Sequence, residues 1–233
     1  MIEAHSPELL YLLSGDPAEL AEMLSSMRPV DVAEALSRLT PDAAAQLIKA
    51  LPFDLVVQVF DEPELEGRAE IFMKIDAASA APLLEAMSSD QQADLFRELT
   101  PSERDRLAKP LDAPTRSSLA LLLRYPPEVA GGIMTTEAVT VPSDWTVERT
   151  LQYIVSVGGA KETVYTIYVL DASKRMIHVV SLRQLMMADR NAKVVEVGPQ
   201  RVPLSVKPTV DREDVARLLS KYNLLAVPVV DDD

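Results

Sequence analysis

Ser88-Ser-Asp-Gln-Gln-Ala-Asp94 carries two carboxylates four residues apart. On a helix that spacing puts Asp90 and Asp94 on one face, where like charges repel unless a cation sits between or opposite them. Asp90 also falls in a first helical turn, where the helix dipole favours an acid, and Asp94 alone reads as part of a solvated face. A second acidic set, Asp211-Arg-Glu213-Asp214, opens another predicted helix. Asp211 suits its N-cap and the acids after it suit the first turn. The chemistry such groups offer is oxygen coordination of a hard cation, which takes carboxylate ligands and keeps several waters. Other chemistry has little to stand on. There is no cysteine, and the two histidines, His5 and His178, lie far apart in the chain, so neither a thiolate site nor a zinc cluster is expected. No nucleophile–base pair or Gly-rich phosphate loop is visible, and Gly158-Gly159 reads as a turn. No enzyme is expected.

The elements that must position these acids fall into two unlike halves. The chain has 233 residues, 36 acidic and 23 basic, for a net charge of −13, a balance that argues against nucleic-acid binding. Residues 1–127 hold 22 acids and 11 bases, with only 12 Val, Ile or Thr; residues 128–233 hold 14 and 12, with 32 such residues. The Ala- and Leu-rich first half therefore favours helices and the β-branched second half strands. The first half repeats every twelve residues, with Met27, Leu39 and Leu51, then Met87, Leu99, Leu111 and Leu123 in the same register. Thr40-Pro41-Asp42 and Thr100-Pro101-Ser102-Glu103 are helix starts, the second with a capping box. Short helices of this kind cannot bury their own apolar stripes, so the units must stack into a solenoid.

The second half alternates strand and helix, twice. Strands are expected at Val139–Val141, Val164–Leu170 and Met176–Ser181, with helices at Thr146–Val157 and Leu182–Ala188. The pattern restarts with a strand at Pro203–Val206, a helix at Asp211–Tyr222 and a strand at Ala226–Val230. Only two residues follow Asp231, so the second copy reads as cut in mid-hairpin and the chain as a fragment. The absence of any apolar run near 18 residues predicts no membrane span within it.

Tandem β-α-β-β-α units resemble a pair of CBS domains. The join Tyr125-Pro-Pro-Glu-Val-Ala-Gly-Gly-Ile-Met-Thr135, with Thr146-Val-Glu148, Ser181-Leu-Arg183 and Val215-Ala-Arg-Leu-Leu219, resembles the cytosolic region of MgtE-type magnesium channels. The helical half alone is also similar to repeats of flagellar motor switch proteins. The resemblance implies an α plus α/β architecture: a right-handed α-helical superhelix at 1–127, a first CBS domain at 128–190 and a truncated second at 191–233. It implies a magnesium-sensing regulatory region on the cytoplasmic face of the inner membrane, gating a covalently linked pore domain and dimerising through its CBS halves. The bound regulatory ion would be Mg2+, bridging the acidic surfaces of the two halves and closing the Pro126–Gly132 step. Asp90, Asp94, Asp211 and Glu213 match the family's ligand positions, whereas Asn223 and Gln58 replace acids there. CBS pairs also bind adenine nucleotides. Here His178-Val-Val-Ser181-Leu-Arg-Gln184 departs from the usual fingerprint at both its glycine and its aspartate, leaving Ile133 and Met134 for a purine and Arg183 for a phosphate. The alternative is a soluble CBS-pair protein whose helical scaffold docks proteins or whose CBS pair senses nucleotides.

Overall fold

Proline and small polar residues set the helix starts in the first part of the chain. The computed structural model describes residues 17–158 and 164–231, so His5 and Gly159 lie outside the described residues. By packing the chain divides between Ala120 and Leu121. The first unit begins with α1 (Pro17–Ser25), α2 (Pro29–Ser37), α3 (Pro41–Ile48) and α4 (Phe53–Asp61). It continues through α5 (Arg68–Phe72), α6 (Ala77–Ala86), α7 (Ser89–Glu98), α8 (Pro101–Ala108) and α9 (Ala113–Leu122). Thr40 caps α3, Asp76 caps α6, and Thr100 with Glu103 forms the expected capping box of α8. Helices α1 to α7 pack on their next-but-one neighbours, α1 on α3, α2 on α4, α3 on α5, α4 on α6 and α5 on α7. That pattern is a superhelix rather than a bundle, because every unit borrows its partners from the units before and after it. The repeat residues Leu51, Met87, Leu99 and Leu111 are buried just after a helix end. Where the twelve-residue register would place a repeat hydrophobe, Pro63 stands instead; α5 is reduced to five residues, entered through Gly67 at φ +67°.

The unit is held by apolar packing and by one buried amide. Phe60 and Phe72 meet edge-on with ring centroids 5.6 Å apart. Gln92, buried on α7, donates to the carbonyls of Leu84 (2.7 Å) and Met87 (2.9 Å), closing the C-terminal end of α6.

The second unit is built around a three-stranded sheet in the order β1 (Val139–Pro142), β2 (Thr166–Leu170), β3 (Met176–Ser181). β1 pairs parallel to β2, Val139 against Ile167 and Val141 against Val169, and β3 returns antiparallel with a register shift at Val169/Leu170. After α10 (Ala130–Ile133) come α11 (Val147–Val157) and α12 (Leu182–Met187), the second closed by a Ser181–Gln184 capping box. Val139, Val141, Val147, Ile154, Ile167, Val169, Val180 and Leu185 form its core. His178 is buried there and its Nε2 lies 2.7 Å from the Val197 carbonyl oxygen.

The second copy departs from expectation. Helix α13 (Arg212–Tyr222) forms as predicted, but Pro203–Val206 and Ala226–Val230 do not form strands. They meet through one parallel bridge, Val206 with Val229. Pro203 and Pro228 contribute no N–H, and within the described residues no antiparallel hairpin strand supports the pair as β3 supports β2. A smaller cluster of Ala130, Val206 and Val215 replaces the larger core of the first copy.

Candidate functional site

Asp90 and Asp94 both lie on α7, but the fold treats them differently. Asp94 is half exposed and ion-paired to Arg97, three residues on, at 2.5 Å. Asp90 is partly buried: Oδ2 accepts a 3.3 Å bond from Gln91, while Oδ1 is sealed from solvent with no hydrogen-bond partner. A buried carboxylate oxygen without a donor is costly and is a position a bound cation or its water would stabilise.

Around Asp90 lie residues that the sequence pattern did not flag. Asp61, at the end of α4, accepts hydrogen bonds from the backbone N–H (3.0 Å) and hydroxyl (3.1 Å) of Ser88. Ser88 is the N-cap of α7, so it gives its hydroxyl to Asp61 instead of capping its own helix. Burial pushes the Asp61 carboxyl above its ordinary value of 3.8; the Ser88 bonds oppose that, the Asp90 charge adds to it and Arg68 opposes it. Arg68, only 5% exposed, donates through Nη1 to Gln91 (2.5 Å) and through Nη2 to the Glu62 carbonyl (2.8 Å). Asp61, Arg68 and Gln91 could have been noticed only as an acid, a base and an amide on different helices. Gln58, where the family has an acid, is exposed on α4.

The second acidic set stays committed to its own helix. Asp211 caps α13 by accepting the Glu213 N–H at 2.7 Å. Glu213 and Asp214 both pair with Arg217, at 3.2 and 2.6 Å. Asn223 occupies the left-handed C-cap position at φ +50°, a conformation asparagine tolerates well. Among the described residues, no three or more His, Asp or Glu side chains gather into a ready metal cage.

A cleft of about 780 Å³ opens in the second unit. Ile133, Met134, Ala138 and Pro203 give it apolar walls, and Tyr168, Lys174 and Arg175 add polar groups. Arg183, the expected phosphate contact, is exposed on α12 and is not among the residues lining this cleft. The hairpin turn between β2 and β3 supplies the cations instead, with Lys174 at φ +63° and Arg175 paired to Asp171 at 3.1 Å. A basic pair inside a predicted turn was the available signal. Gln184 is used internally, its Oε1 accepting from the Ser181 N–H and hydroxyl.

This architecture is shared with known proteins. The family model for the MgtE intracellular N domain matches residues 27–128, and the CBS domain model matches 130–191 and 194–233. The crystal structure of the cytosolic domain of the Mg2+ channel MgtE in complex with ATP overlays with a TM-score of 0.86 at 32% identity, covering 96% of this chain and 91% of that one. The chain belongs to the MgtE family. The soluble part of a magnesium transporter gives a TM-score of 0.84 at 28% identity, covering 97% and 89% of the two chains. Magnesium transporter MgtE of Thermus thermophilus is 40% identical over 123 residues, 53% of this chain and 27% of that protein. That of Bacillus subtilis is 32% identical over 123 residues, again 53% and 27%. The matched stretch spans about a quarter of the length of these MgtE relatives. No helix among its described residues is long and apolar enough to cross a membrane.

Proposed function

We propose that this chain is the magnesium-responsive regulatory region of an MgtE transporter, binding Mg2+ in its helical domain and biasing a membrane pore domain. The observation that carries the reading is Asp90 Oδ1, a buried carboxylate oxygen left without a donor on the helix that the family resemblance singles out. Magnesium suits such a site because it binds through one or two carboxylates and keeps its remaining waters. Asp90 would hold the ion directly; Asp94 would join only after releasing Arg97. Bound ion can bias the pore only by the difference in its affinity for the two conformational states. Binding and regulation, not catalysis, is the activity proposed. The test is calorimetric titration of the whole chain with MgCl2 at matched ionic strength. Saturable binding in roughly the millimolar range is expected, weakened at least tenfold by Asp90→Asn and less by Asp94→Asn. Absence of saturable binding, or an Asp90→Asn variant that binds like the wild type, overturns the reading.

The cleft favours a second reading, an adenine nucleotide as a further ligand. Its size, its apolar end at Ile133 and Met134 and the cations Lys174 and Arg175 suit an adenine nucleotide, and a structural relative was solved in complex with ATP. Titration with ATP should show binding that Ile133→Asp abolishes; equal binding by that variant would place the nucleotide elsewhere.

A further inference from the structure

Arg68 is a buried cation without an ion pair. It is 5% exposed, yet among the described residues no carboxylate lies within 4.0 Å of its nitrogens. Two of its nitrogens reach only neutral acceptors, and Nε is buried with no partner at all. Taking a guanidinium out of water costs several kcal/mol unless negative charge compensates it. The compensation here is indirect. Gln91 accepts from Arg68 Nη1 through Oε1 and donates through Nε2 to Asp90 Oδ2, so one carboxamide links the guanidinium to the Asp90 carboxylate. Asp61, tied to the Ser88 N-cap of the same helix α7, lies within reach of both charges. Two acids and one base, from α4, α7 and α5, therefore form one cluster of the helical domain, with an orphan acceptor at Asp90 Oδ1 and an orphan donor at Arg68 Nε.

We propose that Arg68 is a built-in counter-cation for Asp61 and Asp90, and that it sets the affinity of the Asp90 site for a divalent ion by competing with it. The inference rests on Asp90 being a ligand. In the metal-free state Arg68 holds Asp90 in place through Gln91, while Asp61 is held by Ser88 and feels the Arg68 charge through space. When the ion binds, the same fixed charge repels it, so the site responds only at high ion concentration. Asp61 acts in the opposite sense, adding negative charge to the cluster without being required as a ligand. Arg68 and Asp61 are thus positioning and affinity-setting residues with opposite signs.

The experiment is magnesium titration of the whole chain, by calorimetry at matched ionic strength, on Arg68→Gln, Arg68→Lys and Asp61→Asn. Removing one nearby like charge from the surroundings of a divalent ion is worth roughly tenfold in affinity when the interaction is well screened. Arg68→Gln should therefore bind about tenfold more tightly, Arg68→Lys should stay within about threefold of the wild type, and Asp61→Asn should bind several-fold more weakly. A merely structural role predicts weaker binding for every one of these variants, so a weakened Arg68→Gln overturns the proposal. Urea unfolding gives a second readout: Arg68→Gln should unfold at lower urea than wild type without magnesium and recover on adding it, more than wild type gains. Should Arg68→Gln fail to fold, Arg68→Met takes its place with the same expected tightening, and weakened or unchanged affinity in that variant overturns the idea. If the wild type binds and the Arg68 variants match it, the inference fails while the magnesium reading stands. If neither wild type nor Arg68→Gln binds, the magnesium reading itself fails.

Discussion

Gly132 and Pro126 approach so closely that no side chain fits between them: a Cβ on Gly132 would lie 2.0 Å from the Pro126 carbonyl oxygen. The neighbouring Gly131 faces the Tyr125 ring, 2.6 Å from where its Cβ would be. The chain here is not a loose joint. Ala130 and Gly131 donate to the carbonyls of Val210 and Pro208, and Arg212 donates to Glu128, so the Pro126–Gly132 step is part of the second unit.

Gly132→Ala should therefore destabilise the second unit by about 3 kcal/mol, the upper range for overpacking, because a backbone carbonyl cannot step aside. Gly131→Ala should cost less, since the Tyr125 ring has more freedom to shift. Trp145, the chain's single tryptophan, packs edge-on against Tyr153 in this unit. Its fluorescence during urea unfolding reads the effect directly. Equal midpoints for wild type and Gly132→Ala would contradict the close approach.

Acid should weaken the first unit through its helix caps. The Asp76 carboxyl is held below its ordinary 3.8 by the Ser79 backbone N–H and hydroxyl, Glu103 below 4.5 by the Thr100 hydroxyl and N–H, and Asp112 below 3.8 by Thr115. A lowered folded pKa means stability that is complete above the ordinary carboxylate value and lost as the pH falls through the lowered one. The stability gap between wild type and Asp76→Ala/Glu103→Ala/Asp112→Ala should thus be full near neutrality and shrink as the pH falls below the ordinary carboxylate values of 3.8 and 4.5. Urea midpoints followed by far-ultraviolet dichroism near neutrality and below those values measure it. A gap of equal size at both would show that the caps act without their charge.

A homodimer through the CBS half is expected, as family resemblance implies. Val155 on α11 is 84% exposed and Met187 on α12 is 83% exposed, large apolar groups on the surface of this unit. Met187→Glu should shift the mass toward monomer in light scattering at concentrations where the wild type dimerises, while Phe53→Glu on α4 should not. A wild type that stays monomeric at high concentration would remove the dimer.

The candidate site was legible only in part. Asp90 and Asp94 could be found by spacing and by resemblance. Spacing treats them alike, whereas the fold buries one oxygen of Asp90 and gives Asp94 to Arg97. Asp211 shows the reverse, since its capping role could be read locally and is the role the fold gives it.

What the sequence by itself determined is what forms within a few residues along the chain. The Thr40, Thr146 and Asp211 caps, the Thr100–Glu103 and Ser181–Gln184 boxes and the β1–α11–β2–β3–α12 order depend on hydrogen bonds and periodicity spanning two to four residues. Tertiary structure decided what depends on distant partners. Arg68 meets Gln91 across 23 residues, and Asp61 meets Ser88 across 27; neither pairing leaves a trace in local spacing, because superhelical stacking brings the helices together. The same holds for Lys174 and Arg175 lining the cleft in place of Arg183, and for the second-copy segments that form only one bridge. A β-branched run proposes a strand, but a strand exists only where a neighbour supplies its hydrogen bonds.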